Sequence, residues 1–282
     1  MMIFANMNLQ ARIERYKERG FQAFDAEIII LIEETAVALF KAFPNRFVLF
    51  GGASLLLFYE SPRLSRDLDL MACGGAVPPS DEVKAAVLSS IQPIAETLGL
   101  GALELKKYAE GPDFAKHWVL ANKKPLFSID LTRIGGGVLE TQIVKKNIAD
   151  APERTVRTPN ENYLLFQKLE TFLNRRSVKA RDAFDIRLLL SHGAEIDKRL
   201  EERLEDSMKM KEIDEEEIEN RIRNITNKLC IAELRTVLPP AVFEELAKDE
   251  FEAIRSSLRR VFANWLPEVR DELDDHPNGR GA

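Results

Sequence analysis

The stretch that decides the fold is FVLFGGASLLLFYESPRLSRDLDL, residues 47–70. Phe47, Val48, Leu49 and Phe50 form a short apolar run ending in the pair Gly51-Gly52, the pattern of a buried strand entering a tight turn. Residues 53–59 read as a helix, which Ser61 and Pro62 stop. From Asp67 to Ala72 charged and apolar residues alternate, the period of a half-buried strand. Asp67 and Asp69 therefore project from one face, Leu68 and Leu70 from the other. Two anions on one strand face repel unless a cation neutralises them, and a hard divalent ion such as magnesium takes carboxylate oxygens of this kind. An isolated Asp-x-Asp also fits a strand edge whose acids simply face water. The succession strand, glycine pair, helix and Asp-x-Asp strand is more specific, because glycines at a strand-to-helix junction let a phosphate approach backbone amides. Ser54 adds a hydroxyl at the same helix start.

Working outward, residues 8–19 are polar and helix-prone, and residues 25–43 carry apolar positions at helical spacing until Pro44 and Asn45. Downstream, the pattern predicts a helix over 80–99 and strands over 102–108, 115–121 and 125–132, separated by Gly111-Pro112 and Asn122. In the last strand Phe127, Ile129 and Leu131 alternate with Ser128, Asp130 and Thr132, which puts Asp130 on the polar face. If that strand neighbours the first, three acids could hold two metal ions, one activating an attacking hydroxyl and one stabilising a leaving pyrophosphate. Otherwise Asp130 is a solvent-facing strand acid. From Pro159 onward strand signals vanish and helical patterns run over 160–176, 179–191, 195–209, 213–237 and 240–262. The expectation is a mixed α/β domain over 1–155 with leading helices, then an α-helical domain over 156–282 whose polar end, 271–282, frays.

The 282 residues carry a formal charge of -6, so any contact with a polyanion needs a local basic patch. Arg175, Arg176, Lys179, Arg181 and Arg187 supply one candidate, readable as an RNA-backbone contact or as a solvated helical face. Glu212 and the acids over 214–217 read as a solvated helix face. Cys73 and Cys230 lack disulfide-framework or metal-ligand spacing and read as two reduced thiols. The apolar run 28–32 is followed at once by Glu33 and Glu34, which excludes a signal peptide or membrane span and implies a soluble, cytoplasmic protein. His117, His192 and His276 make no ligand cluster in sequence.

The string Phe50-Gly51-Gly52-Ala53-Ser54-Leu55, followed by Arg63, Ser65 and Asp67-Leu68-Asp69-Leu70, resembles the AbiEii/AbiGii toxin family, MenT-like proteins of type IV toxin-antitoxin systems within the nucleotidyltransferase superfamily. Lys168-Leu169, Arg175 and then Arg181-Asp182-Ala183-Phe184-Asp185-Ile186 resemble that family's helical motifs, so the likeness covers about residues 45–190. The resemblance implies an α+β, polymerase-beta-like nucleotidyltransferase fold with a mixed sheet, followed by an α-helical domain contributing Lys168 and Asp182 to the cleft. It implies transfer of a nucleoside monophosphate from an NTP, with magnesium or manganese, to an acceptor, foremost an RNA such as the 3' end of a tRNA. A cognate antitoxin protein is the implied partner, and no membrane. Carried over by residue, Asp67, Asp69 and Asp130 would be metal ligands and catalytic. Gly51, Gly52, Ser54, Ser65, Lys168 and Asp185 would bind the nucleotide, with Lys168 on its phosphates. Asp182 would be needed for activity, with Asp185 as second choice; helix capping and ion pairing with Arg181 or Arg187 are the alternative for both acids. The same residues also fit nucleotidylation of a protein or small-molecule hydroxyl, or a non-catalytic NTP-binding module.

Overall fold

The computed structural model describes residues 2–73, 75–133 and 142–266, with side chains from residue 9 onward apart from residue 150. The expected frayed end at 271–282 and His276 lie outside the described residues. Two compact units result, Met1–Asn160 and Glu161–Ala282.

In the first unit, α1 (Met2–Glu18) and α2 (Ala23–Ala42) lead in. Residues 28–32 of α2 are buried on every side, so the apolar run is a core helix; no described helix is long and apolar enough to cross a membrane. Glu33 and Glu34, which close that run, are buried as well. Arg12 pairs with both, Arg154 lies 2.7 Å from Glu34, and the Tyr16 hydroxyl donates to Glu33 at 2.6 Å. Two guanidiniums thus offset two carboxylates whose burial unpaired would cost several kcal/mol, and they join α1 and α2 to the 3-10 turn Pro152–Arg154.

The sheet is built from β1 (Phe47–Phe50), β2 (Asp67–Ala72), β3 (Leu103–Gly111), β4 (Phe114–Ala121) and β5 (Lys124–Arg133), with α3 (Gly51–Phe58) and α4 (Ser80–Thr97) between strands. Its order is β1-β2-β5-β4-β3, and it is mixed: β2 and β5 run parallel while the other neighbours are antiparallel. Leu68 and Leu70 of β2, Phe127, Ile129 and Leu131 of β5, and Ala115 and Val119 of β4 share a core with apolar residues of α2 and α4. Alternation then commits Asp67, Asp69, Ser128, Asp130, Lys116 and Trp118 to the opposite face. β4 and β5 join through Asn122 and Lys123, both at positive φ, as a two-residue hairpin turn of the primed class requires. The ladder slips by one residue between Val119 and Leu120, where Leu120 faces Pro125, a residue with no N–H to donate.

A two-stranded sheet of β6 (Ile143–Asn147) and β7 (Thr155–Pro159) completes this unit. Neither strand was expected, and the expected boundary at 155/156 falls inside β7. The second unit holds α5 (Glu161–Asn174), α6 (Ala180–Ser191), α7 (Lys198–Met210), α8 (Glu215–Arg223), α9 (Asn227–Leu234), α10 (Pro240–Lys248) and α11 (Glu252–Val261), with α6 packed on α5, α9 and α11. Two expected helices are each two. The pattern over 213–237 breaks at Thr226, whose hydroxyl accepts from the Leu229 amide and caps α9. The pattern over 240–262 breaks at Glu250 and Phe251, both left-handed, with Asp249 accepting from the Ala253 amide.

Candidate active site

Strand register places Asp69, Asp130 and Lys116 in one row across β2, β5 and β4, with Asp67 beside Ser128 in the next pair. The three expected carboxylates therefore share one sheet face. The Ser128 hydroxyl donates to Asp67 Oδ1 at 2.7 Å and lies 3.3 Å from Asp130 Oδ2. Lys116 Nζ donates to the same Asp130 oxygen at 2.7 Å and stands 5.6 Å from the centre of the Trp118 ring. Burial works against charge on Lys116, yet the hydrogen bond to Asp130 and the fields of Asp130, Asp67 and Asp69 outweigh it and raise its pKa. As placed, the third acid is engaged by a lysine, and among the described residues no group of three histidine, cysteine, aspartate or glutamate side chains is arranged to hold a metal ion. Asp67 and Asp69, half-buried, offer carboxylate oxygens, the donor chemistry that a magnesium or manganese ion takes.

The glycine pair is seated on this row. Gly51 has φ +70°, and a Cβ there would fall 2.2 Å from Asp69 Oδ2. A Cβ on Gly52 would fall 2.5 Å from an Arg63 guanidinium nitrogen and 2.6 Å from Ser65 Oγ. Only glycine lets the start of α3 come down onto these three side chains. Phe50, the N-cap of α3, offers no side-chain acceptor to the first turn. Ser65 and Arg63 are both buried beneath it. Ser54 is fully buried, and its hydroxyl meets Thr158 Oγ1 at 2.6 Å, which fastens β7 to α3.

In the helical unit, Asp182 and Asp185 stand three residues apart on α6 and hence on one side of it. Lys168 of α5 is shared between them, at 3.1 Å from Asp182 and 2.7 Å from Asp185. Arg175 Nε lies 2.9 Å from the second Asp182 oxygen. The two aspartates are almost wholly buried, so this cluster both gathers the expected residues and fixes α5 to α6. The expected basic patch is weaker than its sequence: Arg175 is held by Asp182 and Lys179 by Glu233 at 3.1 Å, while Arg176 and Arg181 are exposed. A surface pocket of the same unit, bounded by Leu173, Asn174, Ile213 and Arg221, contains none of the expected site residues.

His117 is buried with Nε2 3.1 Å from Ser80 Oγ, and burial lowers its pKa. The Cys230 thiol is buried and pushed up to about 11, which makes it a poor nucleophile. Sequence reasoning missed Lys116, Ser128 and the buried Arg63. Ser128 was signalled by its alternation with Asp130 along β5, whereas the register slip between β4 and β5 concealed Lys116.

A model of the family described as nucleotidyl transferase AbiEii toxin, type IV TA system, matches residues 36–274. No curated protein sequence matches the chain. Among solved structures, a protein from H. pylori assigned as a nucleotidyltransferase is 16% identical, with 82% of this chain and 93% of that chain covered and a TM-score of 0.50; at that identity it speaks for the fold. MenT4, a nucleotidyltransferase toxin from Mycobacterium tuberculosis H37Rv, is also 16% identical, with 94% of this chain and 98% of that one covered and a TM-score of 0.41.

Proposed function

The chain belongs to the AbiEii nucleotidyltransferase toxin family, and from that premise we propose that it moves a nucleoside monophosphate from an NTP to an RNA, foremost the 3' end of a tRNA, on the face carrying Asp67, Asp69 and Asp130. The observation that carries this reading is the parallel pairing of Asp69 with Asp130, with Gly51 seated on the Asp69 carboxylate.

Asp67 and Asp69 would hold magnesium, or manganese, and Asp130 would complete the set. When bound, the ion supplies the positive charge that the triphosphate and the developing leaving group need. Gly51 and Gly52 let the phosphates approach the backbone, and Ser65 stands beside Gly52 as a hydroxyl at the same turn. Lys168 brings a point charge for the phosphates, with Asp182 and Asp185 fixing its ammonium. A polynucleotide acceptor is favoured over a small hydroxyl compound because Lys116, Trp118 and Lys106, which pairs with Trp118, extend the carboxylate face with cations and an aromatic ring. Family membership implies a cognate antitoxin, and inhibition of growth is the corresponding biological role.

Incubating the chain with each labelled NTP, magnesium and total tRNA tests the reading. Label is expected on tRNA with the intact chain and none with Asp67→Ala. Full transfer by Asp67→Ala would overturn the catalytic assignment. A nucleotide mass shift on protein or metabolites with none on RNA would overturn the acceptor.

A further inference from the structure

We propose that Lys116 is a resident counter-ion of the carboxylate row, occupying the place of a divalent cation at Asp130 until the phosphates of a nucleotide draw it away. The inference rests on the nucleotidyl-transfer reading of this face.

Three carboxylates on adjacent positions of one sheet face repel one another, and something must offset them in the protein without metal. Lys116 does so from the row that contains Asp69 and Asp130, at 2.7 Å from Asp130 Oδ2. The same oxygen lies 3.3 Å from the Ser128 hydroxyl, which is bonded in turn to Asp67. Lysine and a metal ion would therefore compete for one carboxylate oxygen. A lysine suits a reversible occupant, being a compact charge on a flexible four-carbon stem. Trp118 beside it gives the ammonium a second resting contact on the same face.

Two consequences follow from this competition. The site without nucleotide is held open to metal only weakly, because Lys116 both blocks Asp130 and repels a divalent ion. A triphosphate offers Lys116 a more highly charged partner, so its arrival frees Asp130 and couples metal loading to nucleotide loading. A lysine that merely braces the sheet predicts neither.

Manganese binding by the full chain, followed by electron paramagnetic resonance at fixed ionic strength without nucleotide, separates these cases. Lys116→Met is expected to bind manganese about tenfold more tightly or better, since a unit charge about 5 Å from a divalent ion repels it by that much even in bulk-water dielectric. Lys116→Arg should stay near the parent, and Asp67→Asn should lose binding. If circular dichroism shows Lys116→Met misfolded, Lys116→Gln gives the same reading. Binding that depends on Asp67 but is equal or weaker in the Lys116 variants overturns the counter-ion role and leaves the metal site standing. No manganese binding in any of these proteins overturns both. Binding gained only in Lys116→Met or Lys116→Gln is the strongest form of the expected result.

Discussion

Replacing Gly51 with alanine should damage the site through one side chain, Asp69. Two costs combine. At φ +70° an alanine sits in the left-handed region, at about 1–2 kcal/mol. Its Cβ would also lie 2.2 Å from Asp69 Oδ2, where ordinary contact begins near 3.4 Å, so the carboxylate must move by more than an ångström. Forcing Asp69 off its rotamer adds about 0.5–1.5 kcal/mol, which brings the expected loss of stability to roughly 2–3 kcal/mol. A displacement of about 1 Å at a reacting group costs on the order of a hundredfold in rate. Gly99 isolates the backbone term, since it has φ +73° with nothing within 4 Å of an added Cβ. Urea denaturation and labelled-NTP transfer should therefore show Gly99→Ala mildly destabilised and fully active, and Gly51→Ala more destabilised and nearly inactive. Trimming Asp69 to alanine in the Gly51→Ala background should return the stability cost to the Gly99→Ala level. Equal destabilisation by the two glycine variants, with transfer retained in Gly51→Ala, would refute the packing of Asp69 under the glycine turn.

Glu33→Ala removes one of the two carboxylates that Arg12 and Arg154 share, leaving them on Glu34 and the Tyr16 hydroxyl without its acceptor, and should cost about 3–5 kcal/mol in urea denaturation; a loss below about 1 kcal/mol would mean the cluster is solvated. Lys168→Met removes the ammonium that Asp182 and Asp185 share in the helical unit, leaving Asp182 to Arg175, and should cost about 3–5 kcal/mol as well as abolishing transfer, whereas an unchanged denaturation midpoint would show those aspartates to be hydrated. His117, buried against Ser80 and near Glu110 and Lys107, has its pKa lowered chiefly by burial. Between that lowered value and the ordinary 6.5, the unfolded chain binds more protons. Its contribution to stability is therefore whole above about pH 6.5 and is lost as pH falls through the window. His117→Asn should flatten that part of the stability profile relative to the parent, and an unaltered slope would count against the buried neutral imidazole.

Much of the site was legible because it follows from period-two alternation. Asp67, Asp69 and Asp130 were each assigned a polar strand face, and each is on it. That Asp130 stands beside Asp69 depends on a parallel pairing between residues 61 apart, which no local pattern encodes. Lys116 was hidden by a bulge. Counting back from the Asn122-Lys123 turn along a regular ladder sets Lys116 opposite Ile129, on the core side; the slip at Leu120 and Pro125 moves it opposite Asp130. The burial of Ser54 against Thr158 was not legible, because β7 has five residues, Thr155–Pro159, too short a pattern to recognise. The break before α11 carries no glycine, so the left-handed Glu250 and Phe251 left no mark that composition could reveal. The buried pairing of Lys168 with Asp182 and Asp185 was foreseeable only as helical spacing within α6 and through family resemblance, since α5 and α6 are distinct helices whose facing sides are set by packing.

The most direct test of the account is a crystal structure of the full chain with manganese and a non-hydrolysable NTP, read through the anomalous signal of the metal. A peak is expected within about 2–2.5 Å of the Asp67 and Asp69 carboxylate oxygens, touching the triphosphate. A manganese ion bound to the triphosphate but away from both aspartates would contradict it.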